Sequence, residues 1–431
     1  MKFAPAARLE VRLERKTEDV QLVGQLALLR GQVAFEFSPE FLAHASPLSP
    51  LRLPLKTGLQ SAREGHLMGL FGVFDDSLPD GWGRLLMDRT FLARNVRLRE
   101  LSVLDRLAYL GRHTMGALTY HPCTEPEGES HEALDLAALA KASRQIYDGS
   151  AVEILPALRL AGGSPGGARP KVLVGIHEGR VLSGVDTLPP GFEAWLVKFA
   201  THDDPPNAGP IEYLYARMAM AAGIKMPEVR LLGPLPDGER CFAVRRFDRD
   251  GDTRIHVHTL ANLLHANFRE PNLDYEHLLR VARQLTRNHV DVKECFRRAV
   301  FNLLTSNRDD HGKNFAFLMQ RDGSWTVSPA YDLMLADGPG GEHTMTYKGE
   351  GRRPTWSHLE QLAELAQLSS TEALQILAEV RDGIGRWQSE ATKLKLPAAQ
   401  IREVGQRFTE VAAAAALPTP VLKPRRPSKR P

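Results

Sequence analysis

An α+β fold of two lobes is predicted for this chain of 431 residues, the first lobe mixed α/β and the second mainly helical. Three observations predict it. Residues 9–37 alternate apolar and polar positions at the period of two that strands require. Strand-like and helix-like segments then mix as far as about residue 250. From about Thr259 onward the apolar spacing turns helical in one segment after another. Hydrophobic residues make up 43% and charged residues 25%, which is ordinary for a globular chain and excludes a disordered or fibrous one.

The elements follow in order. Leu9–Leu13 (LEVRL), VGQLALLRG and QVAFEF read as an antiparallel meander with a turn at Arg30-Gly31. Asp80-Gly81 closes a turn before a helix from Trp82 to Arg94. Residues 99–110 read as a second helix, halted at Gly111, and Gly116–Tyr120 as a closing strand. Residues 122–132 (PCTEPEGESHE) have the composition of a linker or long surface loop. A helix over about 133–146 precedes the Gly-rich run LAGGSPGGARP and the strand KVLVGI. Then come the strand EAWLVKFA, a helix over Pro210–Gly223 and the strand RCFAVRRF with its turn. The helical lobe consists of TLANLLHA, YEHLLRVARQLTR, VKECFRRAVFNLLTSN, HLEQLAELAQLS, TEALQILAEVRDGIGRWQSEATKL and IREVGQRFTEVAAAAAL. Between these, NRDDHGKNFAFLM and SWTVSPAYDLM read as loop–strand–loop. The expected division is 1–121, 122–250 and 251–417, with a tail at 418–431.

Charge is concentrated at the end. Lys plus Arg is 55 against 52 for Asp plus Glu, a formal +3. The tail holds Lys423, Arg425, Arg426, Lys429 and Arg430 and no acid, so the body carries 50 basic against 52 acidic residues. A neutral body argues against strong DNA binding on its own. Five prolines in the last 14 residues predict a disordered tail. Cys123, Cys241 and Cys295 form no CxxC pair, which speaks against a disulfide framework or zinc site. The start lacks a signal-peptide core and no stretch approaches a membrane span, so a cytoplasmic protein is expected.

The chemistry-bearing segment is Asn307 to Asn314, NRDDHGKN. Asp309 and Asn314 stand at the D-x-x-x-x-N spacing of a kinase catalytic loop, where the Asp orients the attacking hydroxyl and the Asn oxygen helps hold Mg²⁺. Asp332, eighteen residues further on, has the position of a second metal-binding aspartate, and FAFLM and SWTVS suit a hairpin joining the two loops. Lys198 lies inside the apolar strand WLVKF, like a strand lysine that meets the α/β-phosphates of ATP. Glu212, at the start of the next helix, could hold it. The run Gly162 to Lys171, with Ser164, Gly166, Gly167, Ala168 and Arg169, offers backbone N–H groups to phosphate. Each signal has a plainer reading alone: a polar loop, a snorkelling lysine, a flexible glycine loop, or a first-turn acid. Their order along the chain is that of a kinase ATP site.

At these residues the sequence resembles the HipA family of toxin kinases, bacterial type II toxin–antitoxin proteins, over about residues 9–410. The segments carrying the resemblance are FDDSLPDGWGRLLMDR, LGRHTMGALTY, SPGGARPKVLV, WLVKFA, EYLYARMAMAAGI, AVRRFDR, NRDDHGKNFAFLM and SPAYDLM. The resemblance implies a two-lobed protein-kinase-like fold with the family's N-terminal subdomain at residues 1–121. It implies Asp309 as the catalytic aspartate, Asn314 and Asp332 as Mg²⁺ ligands, and Lys198 on the ATP phosphates. Ser164 would be the autophosphorylated serine whose modification ejects the loop and inactivates the kinase. His311 and Lys313 belong to the same motif at the ATP site. His311 would orient the loop through a backbone hydrogen bond or serve structure alone. Arg246 and Phe247, with Asp248, would join the lobes near the adenine, flanked by Phe242 and Val244. The implied partners are a small helix-turn-helix antitoxin (HipB-like), operator DNA chiefly through that antitoxin, and a protein of the translation machinery as substrate, an aminoacyl-tRNA synthetase being the known class. The N-terminal subdomain would contact the antitoxin. No membrane is implied.

Two other readings remain open at this level. The pattern from Asp309 to Asn314 is also similar to the catalytic loop of phosphoinositide kinases, which would give a lipid or small-molecule kinase. A non-catalytic co-repressor acting with an antitoxin is the other, against which the intact Asp309, Asn314, Asp332 and Lys198 argue.

Overall fold

Alternation in the first residues builds an antiparallel sheet in the order β3-β2-β1-β4, from β1 (Arg8–Lys16), β2 (Asp19–Leu29), β3 (Gln32–Phe37) and β4 (Leu118–His121). Leu9, Val11 and Leu13 of β1 are buried on one face. Arg30 and Gly31 both adopt positive φ, as a two-residue hairpin turn demands. The computed structural model describes residues 4–418 apart from 45, 63–64, 66, 68, 125–132, 151–157, 159–165 and 184–187. Most of the expected linker at 122–132 and the first part of the Gly-rich run therefore lie outside the described residues.

The helix after Asp80 spans Gly81–Ala93. The helix expected at 99–110 is shorter. Leu98–Glu100 is a 3₁₀ turn, and the α-helix Val103–Leu110 starts at Ser102, whose hydroxyl and the Asp105 carboxylate form a capping box. That reciprocal pair satisfies two backbone donors and fixes the start. Gly111 ends the helix.

A second, five-stranded sheet has the order β6-β5-β7-β9-β8, from β5 (Lys171–His177), β6 (Arg180–Ser183), β7 (Glu193–Lys198), β8 (Val229–Leu232) and β9 (Cys241–Arg245). The helix between β7 and β8 spans Ala208–Ala221, so it starts two residues before Pro210. This shift moves Glu212 out of the first turn and into the interior, where it is 2% exposed. A ribbon of β10 (Arg249–Asp250) and β11 (Thr253–Arg254) leads to the helical lobe.

That lobe contains the helices Leu260–Leu264, Tyr275–Thr286, His289–Leu304, Trp356–Leu365, Ser370–Gly385, Trp387–Lys393 and Ala398–Ala414. The single helix expected over TEALQILAEVRDGIGRWQSEATKL is two, separated at Arg386 just after Gly383 and Gly385. Glycine is a poor interior helix residue and the helix breaks there. A three-stranded sheet, β12 (His256–Thr259), β14 (Ala316–Met319) and β15 (Trp325–Val327), lies within the lobe, with β14 and β15 forming a hairpin. A parallel bridge joins β13 (Leu273–Asp274) to β16 (Met345–Thr346). Among the described residues no helix is long and apolar enough to cross a membrane.

One hydrophobic core runs from Leu9 in β1 to Phe408 in the last helix, so the N-terminal sheet and the helical lobe share an interior. The five-stranded sheet has a separate core with Trp82, Leu86, Leu139, Trp195 and Val197. The cleft between the two bodies holds the candidate site.

Candidate functional site

Strand register makes the roof. Lys171 of β5 stands opposite Lys198 of β7, which stands opposite Phe242 of β9. Side chains alternate across a strand. Lys171, Leu173, Leu196, Lys198, Phe242 and Val244 therefore line a cavity of about 170 Å³. Their neighbours Val172, Val174, Trp195, Val197 and Ala243 face the sheet's own core.

Lys198 Nζ donates to Glu212 Oε1 and to Asp332 Oδ1. Burial alone would lower the Lys198 pKa, but the two carboxylates outweigh it and raise it above the ordinary lysine value. Burial likewise disfavours charge on Asp332. Lys198 and Lys171 outweigh that and hold its carboxyl well below the usual range. The pair is thus fully ionised at neutral pH. Asp332 reaches Lys198 from a left-handed backbone, φ +56°, at a cost of about 1–2 kcal/mol. Lys171 donates to Gly166 O, and burial lowers its pKa.

The helical lobe makes the floor. Asp310 turns inward, buried, and accepts from Tyr275 O–H at 2.8 Å, His343 Nδ1 at 2.8 Å and the Thr344 N–H at 2.9 Å. That anchor turns the adjacent Asp309 outward, with 57% of its side chain exposed. Desolvation in the cleft, opposed by His311 and helped by the carboxylates of Asp332 and Asp310, raises the Asp309 pKa. The Asn314 amide donates to the Asp309 carbonyl at 2.7 Å, closing the loop through the 3₁₀ turn Gly312–Asn314. The Tyr331 hydroxyl donates to Lys313 O at 2.6 Å, tying this loop to the one that carries Asp332. The β14–β15 hairpin supplies the connection between them.

Of the residues singled out in the sequence, Gly166, Gly167, Lys171, Lys198, Glu212, Arg246, Phe247, Asp309, His311, Lys313, Asn314 and Asp332 all line this one cleft. Ala168 and Arg169 are not among the lining residues. Arg169 sits behind the Lys198 pair, 2.5 Å from Asp204 and 3.6 Å from Glu212 Oε2. The Arg246 guanidinium is bound to Asp248 through bonds of 2.9 and 2.8 Å. Phe247 packs its ring 5.3 Å from that of Tyr331. The His311 ring makes no backbone hydrogen bond of the kind the sequence suggested: its Nδ1 is buried without a partner and its Nε2 lies 3.8 Å from Asp309. Ser164 lies outside the described residues.

Sequence reasoning gave no site role to Asp76, Leu78, Asp80 or Met115, yet all four line the cleft from the N-terminal unit. The available signal was the acid-rich run FDDSLPDGW, read only as a turn and a subdomain mark. Asp80 accepts the Gly167 N–H, and Lys313 Nζ stands 3.3 Å from Asp75 and 3.8 Å from Asp80.

No group of three or more His, Cys, Asp or Glu residues able to cage a metal occurs among the described residues. The cleft instead offers two hard oxygen donors. Asn314 commits its amide nitrogen to Asp309 and keeps its oxygen available, and Asp332 engages Lys198 through one oxygen of two. Two protein oxygens suit Mg²⁺, which usually completes its shell with phosphate oxygens and water rather than a protein cage.

Two family models match the chain: HipA N-terminal domain over residues 16–121 and HipA-like C-terminal domain over residues 163–388. A Sinorhizobium fredii protein named "Putative kinase Y4dM" is 26% identical over 410 residues, 88% of this chain and 93% of its own length. A second from the same organism, "Putative kinase Y4mE", is 27% identical over 349 residues, 73% of this chain and 75% of its own. In structure, the chain is similar to one from the Shewanella oneidensis MR-1 toxin–antitoxin complex of HipA, HipB and operator DNA. The TM-score is 0.68 at 19% identity, covering 94% of this chain and 96% of that one. At that identity the likeness is one of fold, and the fold is two-lobed and kinase-like.

Proposed function

The chain belongs to the HipA family, and from that premise we propose that it is an ATP-dependent Ser/Thr protein kinase acting as the toxin of a toxin–antitoxin pair. The observation that carries this reading is the convergence, on one cleft, of the Lys198–Glu212 pair, Asp332 and the Asp309–Asn314 loop. Lys198 is a permanently charged donor at the roof, suited to phosphate oxygens. Asp309, exposed on an anchored floor loop, is free to accept or orient a hydroxyl proton within reach of a γ-phosphate. In phosphoryl transfer the protein's task is positioning and charge stabilisation, and this cleft supplies both. Asn314 and Asp332 would hold Mg²⁺, which when bound would neutralise phosphate charge.

The finer reading follows the family. The substrate is a protein of the translation machinery, of the aminoacyl-tRNA synthetase class. A helix-turn-helix antitoxin binds the protein, and operator DNA is met chiefly through it. Residues 1–121 form the subdomain facing the antitoxin, 122–250 the rest of the ATP-binding lobe, 251–417 the catalytic lobe and 418–431 a basic appendage. Autophosphorylation at Ser164 drives the Gly-rich loop from the site and inactivates the kinase.

The test uses purified protein and labelled ATP. Asp309→Asn is expected to keep ATP binding and melting temperature while lowering phosphoryl transfer at least about a hundredfold, the scale of a lost general base. Full autophosphorylation by that variant would sink the assignment. Ser164→Ala is expected to stay active and more toxic on induction. Growth like that of an uninduced culture would count against self-inactivation.

A further inference from the structure

We propose that the N-terminal unit completes the nucleotide site, with Asp80 as the positioning residue that holds the Gly166–Gly167 turn over the cleft. The inference rests on the ATP-dependent reading of that cleft. Three bonds fasten the turn. Asp80 Oδ1 accepts the Gly167 N–H, the Trp82 N–H donates to Gly167 O at 3.0 Å, and Lys171 Nζ donates to Gly166 O. Two of the three come from the N-terminal unit, 87 residues away in sequence for Asp80 and Gly167.

The two backbones also touch. A Cβ on Gly81 would lie 2.5 Å from Gly167 O and 2.7 Å from Ala168 Cα, and Gly81 itself has φ +43°. Only glycine allows this approach. Asp80 is mostly withdrawn from solvent, its side chain 13% exposed, and it lies 3.8 Å from Lys313 of the floor loop. One carboxylate therefore meets the roof turn and the floor loop together.

A Gly-rich turn has little conformational preference of its own and loses much entropy when fixed. Bonds from outside must hold it, and a carboxylate accepting a backbone N–H is about twice as strong as a neutral bond. A turn already held in place is not ordered at the expense of nucleotide binding. Losing the latch should therefore raise KM for ATP more than it lowers kcat.

Steady-state kinetics and hydrogen exchange on the full chain test this. Asp80→Ala is expected to raise KM for ATP about tenfold, with kcat and melting temperature moving far less. Asp80→Asn retains an oxygen able to accept from Gly167 and is expected to recover most of the loss. A wild-type KM in Asp80→Ala overturns the proposal, and so does an Asn variant no better than Ala. Exchange needs neither nucleotide nor variant. In the wild-type chain the Gly167 amide is expected to exchange at least about a hundredfold more slowly than in an unstructured peptide. Exchange at the unstructured rate overturns the latch even if Asp80→Ala does not fold. A protected Gly167 amide in a chain that takes up no ATP would instead sink the kinase reading and leave the latch standing.

Discussion

The N-terminal unit has two seams, and they are built differently. Against the helical lobe it is joined by buried polar bonds over a continuous apolar core. Asp76 accepts from His258 Nδ1 at 2.6 Å, from the Thr259 N–H and hydroxyl at 2.8 and 2.7 Å, and from Asn262 Nδ2 at 2.7 Å. A Cβ on Gly72 would lie 2.1 Å from Asn262 O, so the two backbones are as close as they can be. Against the five-stranded sheet and the turn before it, the unit offers Trp82 and Leu86 to a separate core, two bonds to Gly167 and one to Lys171 O. The first seam makes one body of two units. The second is a latch.

Breaking the first seam should have the largest effect on stability. Asp76→Ala removes one acceptor from four donors and leaves them buried. It is expected to cost about 3–5 kcal/mol in urea denaturation at pH 7. Burial disfavours the Asp76 charge, but the bond and charge of His258 outweigh it and lower its pKa. A carboxyl depressed in the folded state contributes stability that is present above the ordinary aspartate pKa of about 3.9 and is lost as pH falls through the folded value. The gap between wild type and variant should therefore narrow only in strong acid. A cost below about 1 kcal/mol at pH 7 would mean the joint body is no firmer than the latch.

How much of this could be read in the sequence depends on the range of the interaction. The strands, the β14–β15 hairpin and most helices follow from local period. Lys198, Asp309, Asn314 and Asp332 were visible because strand context and loop spacing mark them within a few residues. Two helix boundaries differ from those expected although local signals mark them: the S-x-x-D box at Ser102–Asp105, and Gly383 and Gly385 before Arg386. Glu212 is legible as a partner for Lys198, but its depth depends on the helix beginning at Ala208. Asp76 and Asp80 were beyond reach for another reason. Their partners lie about 180 and 87 residues away, and nothing in the local pattern of FDDSLPDGW names a tertiary partner.

The same seam carries a pH dependence of intermediate size. His256 on β12 is buried, with Nε2 bonded to Leu48 O of the N-terminal unit at 3.0 Å and Nδ1 without a partner. Burial pushes its pKa down to about 4. The unfolded chain takes up this proton below about 6.5 and the folded one only below about 4. Stability from this group is therefore complete above the unfolded value and falls across that window, by about 3 kcal/mol at most. His256→Gln, whose amide can still donate to Leu48, should flatten the fall between pH 7 and pH 4. Parallel stability curves for variant and wild type would remove His256 as its source.

The smallest expected effect tests the latch from its apolar side. Trp82 Nε1–H donates to Lys171 O at 3.0 Å, and its ring is buried in the core of the five-stranded sheet. Trp82→Phe keeps most of the apolar contact and removes this one bond, which should cost about 1 kcal/mol. The size matters less than where the loss falls. If the sheet is a body of its own, hydrogen exchange should quicken in β5, residues 171–177, where the bond was lost. It should stay unchanged in residues 256–264, where Asp76 and His256 hold the other seam. Exchange that quickens equally in both segments would mean that the seams fail together and that the molecule opens as one unit.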